Sequence, residues 1–347
     1  MQSLEPVVYL WGKSVYMEQS NHNASAIVAD IGGTFARLCR VNLDNLKRDK
    51  TEIYPCAEFS SLESVLIHYR QQHSLQAIHQ MAIAIACPVL DDLVSMTNCK
   101  WQFSIRKLKQ QLSLSELLVV NDFSAIAMCI PQLKMQDIWQ VGEGQSQRNE
   151  TRVVVGPGTG LGVAYLKQVE HVYKACGGAG GHTRWAASTE QEWFIYNYLT
   201  KLYGHVSHER LLSGYGLENL YQAIALFQGH NVPALKAAEI IPLALSNENP
   251  IALATVMQFL VSLGVFAGDL ALSFSAFGGV YIAGGIMPRL LPLLNSSDFR
   301  RSFEEKGRFK EFNARIPTYV ITAEQPGLIG AAVYLQQSVR GEIDAVF

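Results

Sequence analysis

Charge is scarce in this chain. Asp, Glu, Lys and Arg make up 17% of its 347 residues, against about 25% in an ordinary soluble domain. Hydrophobic residues account for 49%, and a disordered chain needs the opposite balance. A basic excess is also missing: 28 Lys and Arg face 30 Asp and Glu, a formal charge of −2. Nothing in that balance neutralises a phosphate backbone, so nucleic acid is not the expected partner. The six cysteines are Cys39, Cys56, Cys87, Cys99, Cys129 and Cys176; none forms a CxxC pair. Neither a disulfide framework nor a zinc knuckle has that spacing, and a reducing cytoplasm is the expected compartment. Residues 1–23 hold a short apolar patch, Val7 to Trp11, with no basic lead-in. They read as a leader before the first core strand, not as a signal peptide.

One region raises the question of a membrane. Residues 251–268 carry no charge, and neither do residues 270–288. Either run is about long enough to cross a bilayer. Asp269 separates them, however, and glycines and a proline interrupt the second. A buried helix followed by a buried strand is the expectation, with no membrane partner.

The length suggests about two domains. Two segments resemble each other across that distance: AIVADIGGTFARLCRV (26–41) and RVVVGPGTGLGVAYL (152–166). Each reads as a β-hairpin with a glycine turn, which implies a duplication at domain scale. Between them MAIAIACPVL (81–90) and ELLVVND (116–122) read as buried strands, and FSAIAMCI (123–130) as a helix closed before Pro131. Ser188 with Gln191, or Thr189 with Glu192, fits a capping box opening a further helix. GGVYIAGGIMPRL (278–290) reads strand, glycine turn, helix. Alternating strands and helices predict α/β layers with mixed sheets. No low-complexity linker occurs, so the boundary is expected to be a hinge within compact structure.

Three glycine turns could hold phosphates. Asp30-Ile31-Gly32-Gly33-Thr34 offers backbone N–H groups and a hydroxyl, with Asp30 placed to hold a metal-bound water. Gly158-Thr159-Gly160 is the second, and Gly284-Gly285 before a helix the third. Taken alone, the GGT and GTG turns are better explained as plain structural turns, and the Walker loop GxxxxGK[ST] is absent. Asn121-Asp122 stands at a strand-to-helix junction, where a carboxylate could take a hydroxyl proton or simply cap the helix. His182 follows four glycines and reads as projecting from a mobile loop. Glu209 could accept two sugar hydroxyls with its two oxygens, or sit in a first helical turn after Ser207.

In their order, these motifs resemble the bacterial glucokinase family, within the actin-like ATPase superfamily that also holds hexokinases and Hsp70-type ATPases. The resemblance rests on DIGGT (30–34), AIACPV (84–89), MTNCKW (96–101), NDF (121–123), GPGTGLG (156–162), GGH (180–182), HVSHERLLSG (205–214), FGGVYIAGGIMPR (277–289), KGRFKEF (306–312) and PGLIGAA (326–332). It implies a two-domain actin-like ATPase (ribonuclease H-like) α/β fold with duplicated mixed β-sheet cores. The small domain would comprise 24–132 plus 323–347 and the large domain 133–322, with sugar and ATP in the cleft between them. By the same resemblance the chain is a glucokinase-type hexose kinase. ATP with Mg²⁺ would phosphorylate the 6-hydroxyl of glucose or a related hexose, with Asp122 as base. Asn121, His182 and Glu209 would bind sugar hydroxyls. Asp30, Gly32, Gly33, Thr34, Gly158, Thr159 and Gly160 would hold phosphates, and Gly284 and Gly285 would flank the adenosine. Related sugar kinases with a repressor-like ancestry bind zinc through cysteines after the histidine. No cysteine follows His182, so no protein-only metal site is expected. A homodimer stays open.

Two positions depart from the family pattern. The loop GEGGH of the family reads Gly178-Ala179-Gly180-Gly181-His182 here, removing a sugar-binding carboxylate. Phe35 follows GGT where Asn is common. Three readings follow: a glucose kinase weakened at Ala179, a non-catalytic sugar- or nucleotide-binding homologue, and a kinase for a hexose substituted at C2.

Overall fold

A computed structural model describes residues 25–96 and 99–343. The leader at 1–23 lies outside the described residues, as do Thr97 and Asn98 of the MTNCKW motif and the last four residues.

The chain opens with the meander β1 (Ser25–Ile31), β2 (Phe35–Asn42) and β3 (Arg48–Pro55). Helix α1 (Leu62–Gln72) leads to β4 (Gln80–Ile85). A short hairpin, β5 (Leu93–Ser95) and β6 (Gln102–Ser104), precedes α2 (Ile105–Gln111). Strand β7 (Glu116–Asn121) runs directly into α3 (Asp122–Cys129). Next come β8 (Ile138–Val141) and a second meander, β9 (Arg152–Pro157), β10 (Leu161–Val169) and β11 (Val172–Gly178). A helical layer follows: α4 (Glu190–Tyr203), α5 (Gly214–Phe227), α6 (Ala237–Leu245) and α7 (Pro250–Phe274). The chain continues through β12 (Val280–Ile282), α8 (Met287–Leu294), α9 (Phe299–Glu304), α10 (Lys310–Ala314), β13 (Thr318–Ile321) and α11 (Pro326–Val339).

The first sheet has the order β3-β2-β1-β4-β7 and the second β11-β10-β9-β12-β13-β8. Both consist of an antiparallel meander whose first strand is followed by two parallel strands. Strand β8 is added antiparallel at one edge of the second sheet. The matching sheet orders bear out the duplication expected from the two hairpins.

One face of the first sheet buries Leu62, Leu66, Ile105 and Leu108 of α1 and α2. One face of the second packs on the helices between α4 and α9. The opposite faces share α3 and α11. Ala125, Leu328, Ala331 and Leu335 pack on the first sheet, while Ala127, Met128 and Val333 pack with Val154, Ala164 and Tyr281 of the second. These two helices cross so closely that a Cβ at Gly330 would overlap the carbonyl of Ala125.

Helix α7 differs from the expectation. It does not stop before Asp269 but continues to Phe274. Asp269 is tolerated because its carboxylate reaches the surface and pairs with Lys306 at 2.8 Å. By length and composition the helix could cross a membrane, yet it buries Phe259, Leu260, Leu263 and Ala267 in the largest core. The capping box at α4 forms on Thr189: its hydroxyl accepts from Glu192 N at 3.2 Å, and Glu192 Oε2 accepts from Thr189 N at 3.2 Å.

Candidate active site

Parallel pairing aligns the ends of three strands in the first sheet. Ile31 stands beside Ile85, and Ile85 beside Asn121. With neighbouring strands 4.7–4.9 Å apart, the ends of β1 and β7 lie roughly 10 Å from each other. This row brings the DIGGT turn and Asn121-Asp122 to one edge. In the second sheet Val155 pairs with Ile282, and Ala283 N donates to Val155 O at 2.8 Å. The Gly158-Thr159-Gly160 and Gly284-Gly285 turns are therefore neighbours. Both sets sit outside the carboxyl ends of parallel strands, where open α/β sheets bind ligands.

Asn121, not Asp122, caps α3: its Oδ1 accepts from Phe123 N at 3.0 Å and Ser124 N at 3.2 Å. Asp122 is the first helical residue. Its Oδ1 accepts from Asn121 Nδ2 and from its neighbour Phe123 N, both at 2.9 Å. Asp122 Oδ2 has no hydrogen-bond partner among the described residues. Burial pushes the Asp122 carboxyl up to about 7, and repulsion from Asp30 adds to that. The N–H bonds and the Asn121 amide oppose it. A carboxylate poised near neutrality suits a general base.

Asp30 is also raised, first by burial, against the opposing charge of Arg37. Arg37 lies across the β1–β2 pair at 3.7 Å. The start of α11 closes on this carboxylate: a Cβ at Gly327 would lie 2.8 Å from Asp30 Cγ. Gly32 N donates to Phe35 O at 3.0 Å, so the backbone of Phe35 closes the turn while its side chain stays exposed. Gly33 is half-buried and Thr34 exposed.

The second turn is tight, with Gly158 N donating to Gly160 O at 2.8 Å. Gly158 has nothing within reach of an added Cβ, and its φ is not left-handed. Thr159 is exposed. Gly284 has φ +90, and a Cβ there would overlap Pro157 O. The pair Gly284-Gly285 lies in the turn before α8, not in its first residues.

His182 does not sit in a loop free of structure. Gly177 and Gly178 pair with Ala164 and Val163 as the end of β11. Gly180–His182 forms a 3₁₀ turn capped by Ala179, whose carbonyl accepts from His182 N at 3.0 Å. Gly181 is pressed so closely on Leu161 O that no side chain fits there. His182 is exposed, with Nδ1 3.9 Å from Glu209 Oε1. Glu209 lies in the 3₁₀ turn His208–Arg210 after Ser207. One of its oxygens is already engaged: Oε2 accepts from Leu161 N at 2.8 Å. His208 beside it is buried and stacked on Phe266 at 4.2 Å; burial pushes its imidazole down to about 4.

Phe123 is a site residue that the sequence reading did not single out. Gly156 and Gly162 are directly paired across β9 and β10. A Cβ at Gly156 would come within 2.7 Å of the Phe123 ring, and one at Gly162 would overlap it. Gly177 faces Ser124 Oγ at 2.8 Å in the same way. These glycines clear space for the helix that carries Asp122. The available signal was their spacing on either side of the GTG turn.

The profile of the glucokinase family matches residues 27–338. The chain belongs to the glucokinase family. The glucokinase of Colwellia psychrerythraea is 44% identical over 317 residues, covering 90% of this chain and 96% of that protein. The glucokinase of Photorhabdus laumondii is 43% identical, covering 91% and 98%. Among solved structures, the glucokinase of an Antarctic psychrotroph superposes with a TM-score of 0.82 at 35% identity, covering 91% of this chain and 99% of that one. The glucokinase fold is the expected two-sheet α/β arrangement of the actin-like ATPases. The six cysteines of this family member are free, and no cluster of three or more metal-ligating side chains occurs among the described residues.

Proposed function

We propose that this chain phosphorylates the 6-hydroxyl of glucose with ATP, and that Asp122 is its general base. The observation that supports this most is the state of Asp122. It is held by Asn121 at the head of α3, has one oxygen free, and is raised to about 7 in a glucokinase-family fold. In this reading the 24–132 and 323–347 segments form a small domain, 133–322 a large one, and the substrates lie between them.

Sugar binds between Asp122 on one side and His182 with Glu209 on the other. Asn121 contributes chiefly by orienting Asp122, because its oxygen caps α3. Phosphates lie against Gly32, Gly33 and Thr34 and against Gly158, Thr159 and Gly160, with Gly284 and Gly285 beside the adenosine. The free Asp122 oxygen accepts the proton as the hydroxyl oxygen attacks the γ-phosphorus and ADP leaves. Closure of the domains removes water that would otherwise compete for the phosphoryl group.

Mg²⁺ fits this site. Asp30 is a half-buried carboxylate whose only ion-pair partner among the described residues is Arg37 at 3.7 Å, and it repels Asp122. Asp30 would hold the cation near the phosphates, and its charge would relieve that repulsion. When bound, Mg²⁺ would neutralise charge on the transferred phosphoryl group.

Ala179 favours a second reading. At the cap of the His182 turn it presents an exposed methyl where the resemblance expects the carboxylate of Glu. A sugar with a substituent at C2 would then be accepted. Measuring ADP release over a panel of hexoses and 2-substituted hexosamines separates the readings. Turnover with glucose is the expected result. Turnover confined to 2-substituted sugars would move the substrate assignment, and ADP release with none would overturn the kinase reading.

A further inference from the structure

We infer that Glu209 couples the sugar to the nucleotide: one carboxylate oxygen positions the Gly158-Thr159-Gly160 turn, and the other is left for a sugar hydroxyl. The inference rests on the reading of this cleft as a sugar-kinase site, and it adds to Glu209 a role as positioning residue for the nucleotide.

The geometry is specific about the division of labour. Glu209 Oε2 accepts from Leu161 N at 2.8 Å, the N–H that ends the turn. The other end is tied to the same segment, with Gly214 N donating to Gly158 O at 2.9 Å. Ser213 joins the two: its hydroxyl donates to Glu209 O at 2.9 Å and accepts from Gly216 N at 3.0 Å, capping α5. The turn is therefore clamped at both ends by residues 209–214. A Cβ on Gly160 would lie 2.6 Å from Oε2, so the glycine there makes room for the carboxylate. Among the described residues Oε1 makes no hydrogen bond; His182 Nδ1 lies 3.9 Å away, beyond hydrogen-bonding range. That oxygen is the one available to the sugar.

A carboxylate that accepts a backbone N–H in a partly dry site makes a strong, directional bond. Sugar and turn then draw on one side chain, and a sugar that fixes the carboxylate also fixes the turn. By linkage, each ligand raises the affinity for the other by the same factor. Removing the carboxylate should weaken nucleotide binding even with no sugar present.

The test is calorimetric titration of the full chain with MgADP in the absence of sugar, and separately with glucose. Glu209→Gln keeps an oxygen for Leu161 N but loses the charge; Glu209→Ala loses both. The expected result is an MgADP affinity within about threefold of wild type for Glu209→Gln and a loss of roughly tenfold or more for Glu209→Ala. Both variants should weaken glucose. Gly160→Ala is the second variant, keeping the carboxylate but pushing it off Leu161 N, and it should weaken MgADP and glucose together. Unchanged MgADP affinity in Glu209→Ala, or in Gly160→Ala if Glu209→Ala does not fold, overturns the coupling. Unchanged glucose affinity in Glu209→Gln would instead overturn the sugar assignment, whatever MgADP does.

Discussion

Asp122 must be ionised to take a proton, and its carboxyl sits at about 7 because burial and the charge of Asp30 both disfavour the anion. The kcat/KM for phosphoryl transfer is therefore predicted to fall by about tenfold per pH unit below neutrality and to level off above it. Removing the neighbouring charge lowers the Asp122 value, so Asp30→Asn should move that limb to lower pH while reducing the overall rate. A limb that stays in place would exclude Asp30 as a source of the shift. Ala179 gives a second test at this scale. Ala179→Glu supplies a charged acceptor beside His182, and a hydrogen bond to a charged group is worth ~1.5–3 kcal/mol, or roughly 10- to 150-fold in kcat/KM. For a weakened glucose site that gain should appear mainly in KM. Ordinary wild-type glucose kinetics with no gain in Ala179→Glu would remove Ala179 as the cause of any deficit. Legibility was uneven among these residues. Asp122 announced itself as a carboxylate at a strand-to-helix junction, but which of Asn121 and Asp122 caps the helix depends on side-chain torsions that no spacing specifies. Glu209 carried the right chemistry, whereas its bond to Leu161 joins residues 48 apart and is created by the fold alone.

The hairpins and turns were legible because their signals are local. An apolar run, a glycine turn and a returning run specify β1–β2 and β9–β10 without tertiary help. Helix α7 was not, because a single Asp in an apolar run looks like a break until its partner, Lys306, is brought alongside. Two further predictions belong to elements. Gly158 has free space and ordinary backbone, so Gly158→Val should fold normally yet block a phosphate. A Gly158→Val protein with wild-type thermal stability and unchanged ATP affinity would move the phosphate elsewhere. The hole made by paired Gly156 and Gly162 is filled by Phe123. Gly162→Ala should cost about 1–3 kcal/mol by overpacking, and much less when Phe123 is already Ala. Equal costs in both backgrounds, read from denaturant unfolding, would mean that ring and glycine pair do not interact.

Over the whole molecule, α3 and α11 are the only helices whose apolar residues pack on both sheets among the described residues. Asp122, the proposed general base, is the first residue of one of them. The duplicated sheets thus pack one face each on a shared pair of helices, with the Gly32-Gly33-Thr34 turn and Asp122 at the strand ends of one and the Gly158-Thr159-Gly160 and Gly284-Gly285 turns at the strand ends of the other. Any rotation of one sheet against the other changes the distance between Asp122 and the phosphates, which is how domain closure would gate the reaction. Asp122 is proposed to remove the sugar proton. Asp122→Asn tests it most directly, since the amide keeps size and hydrogen bonding but cannot take a proton. Glucose binding by calorimetry and ADP release by a coupled assay should be measured on the same preparation. Near-wild-type glucose affinity with turnover reduced by about 10²–10⁴-fold is expected; turnover close to wild type would take the base role from Asp122.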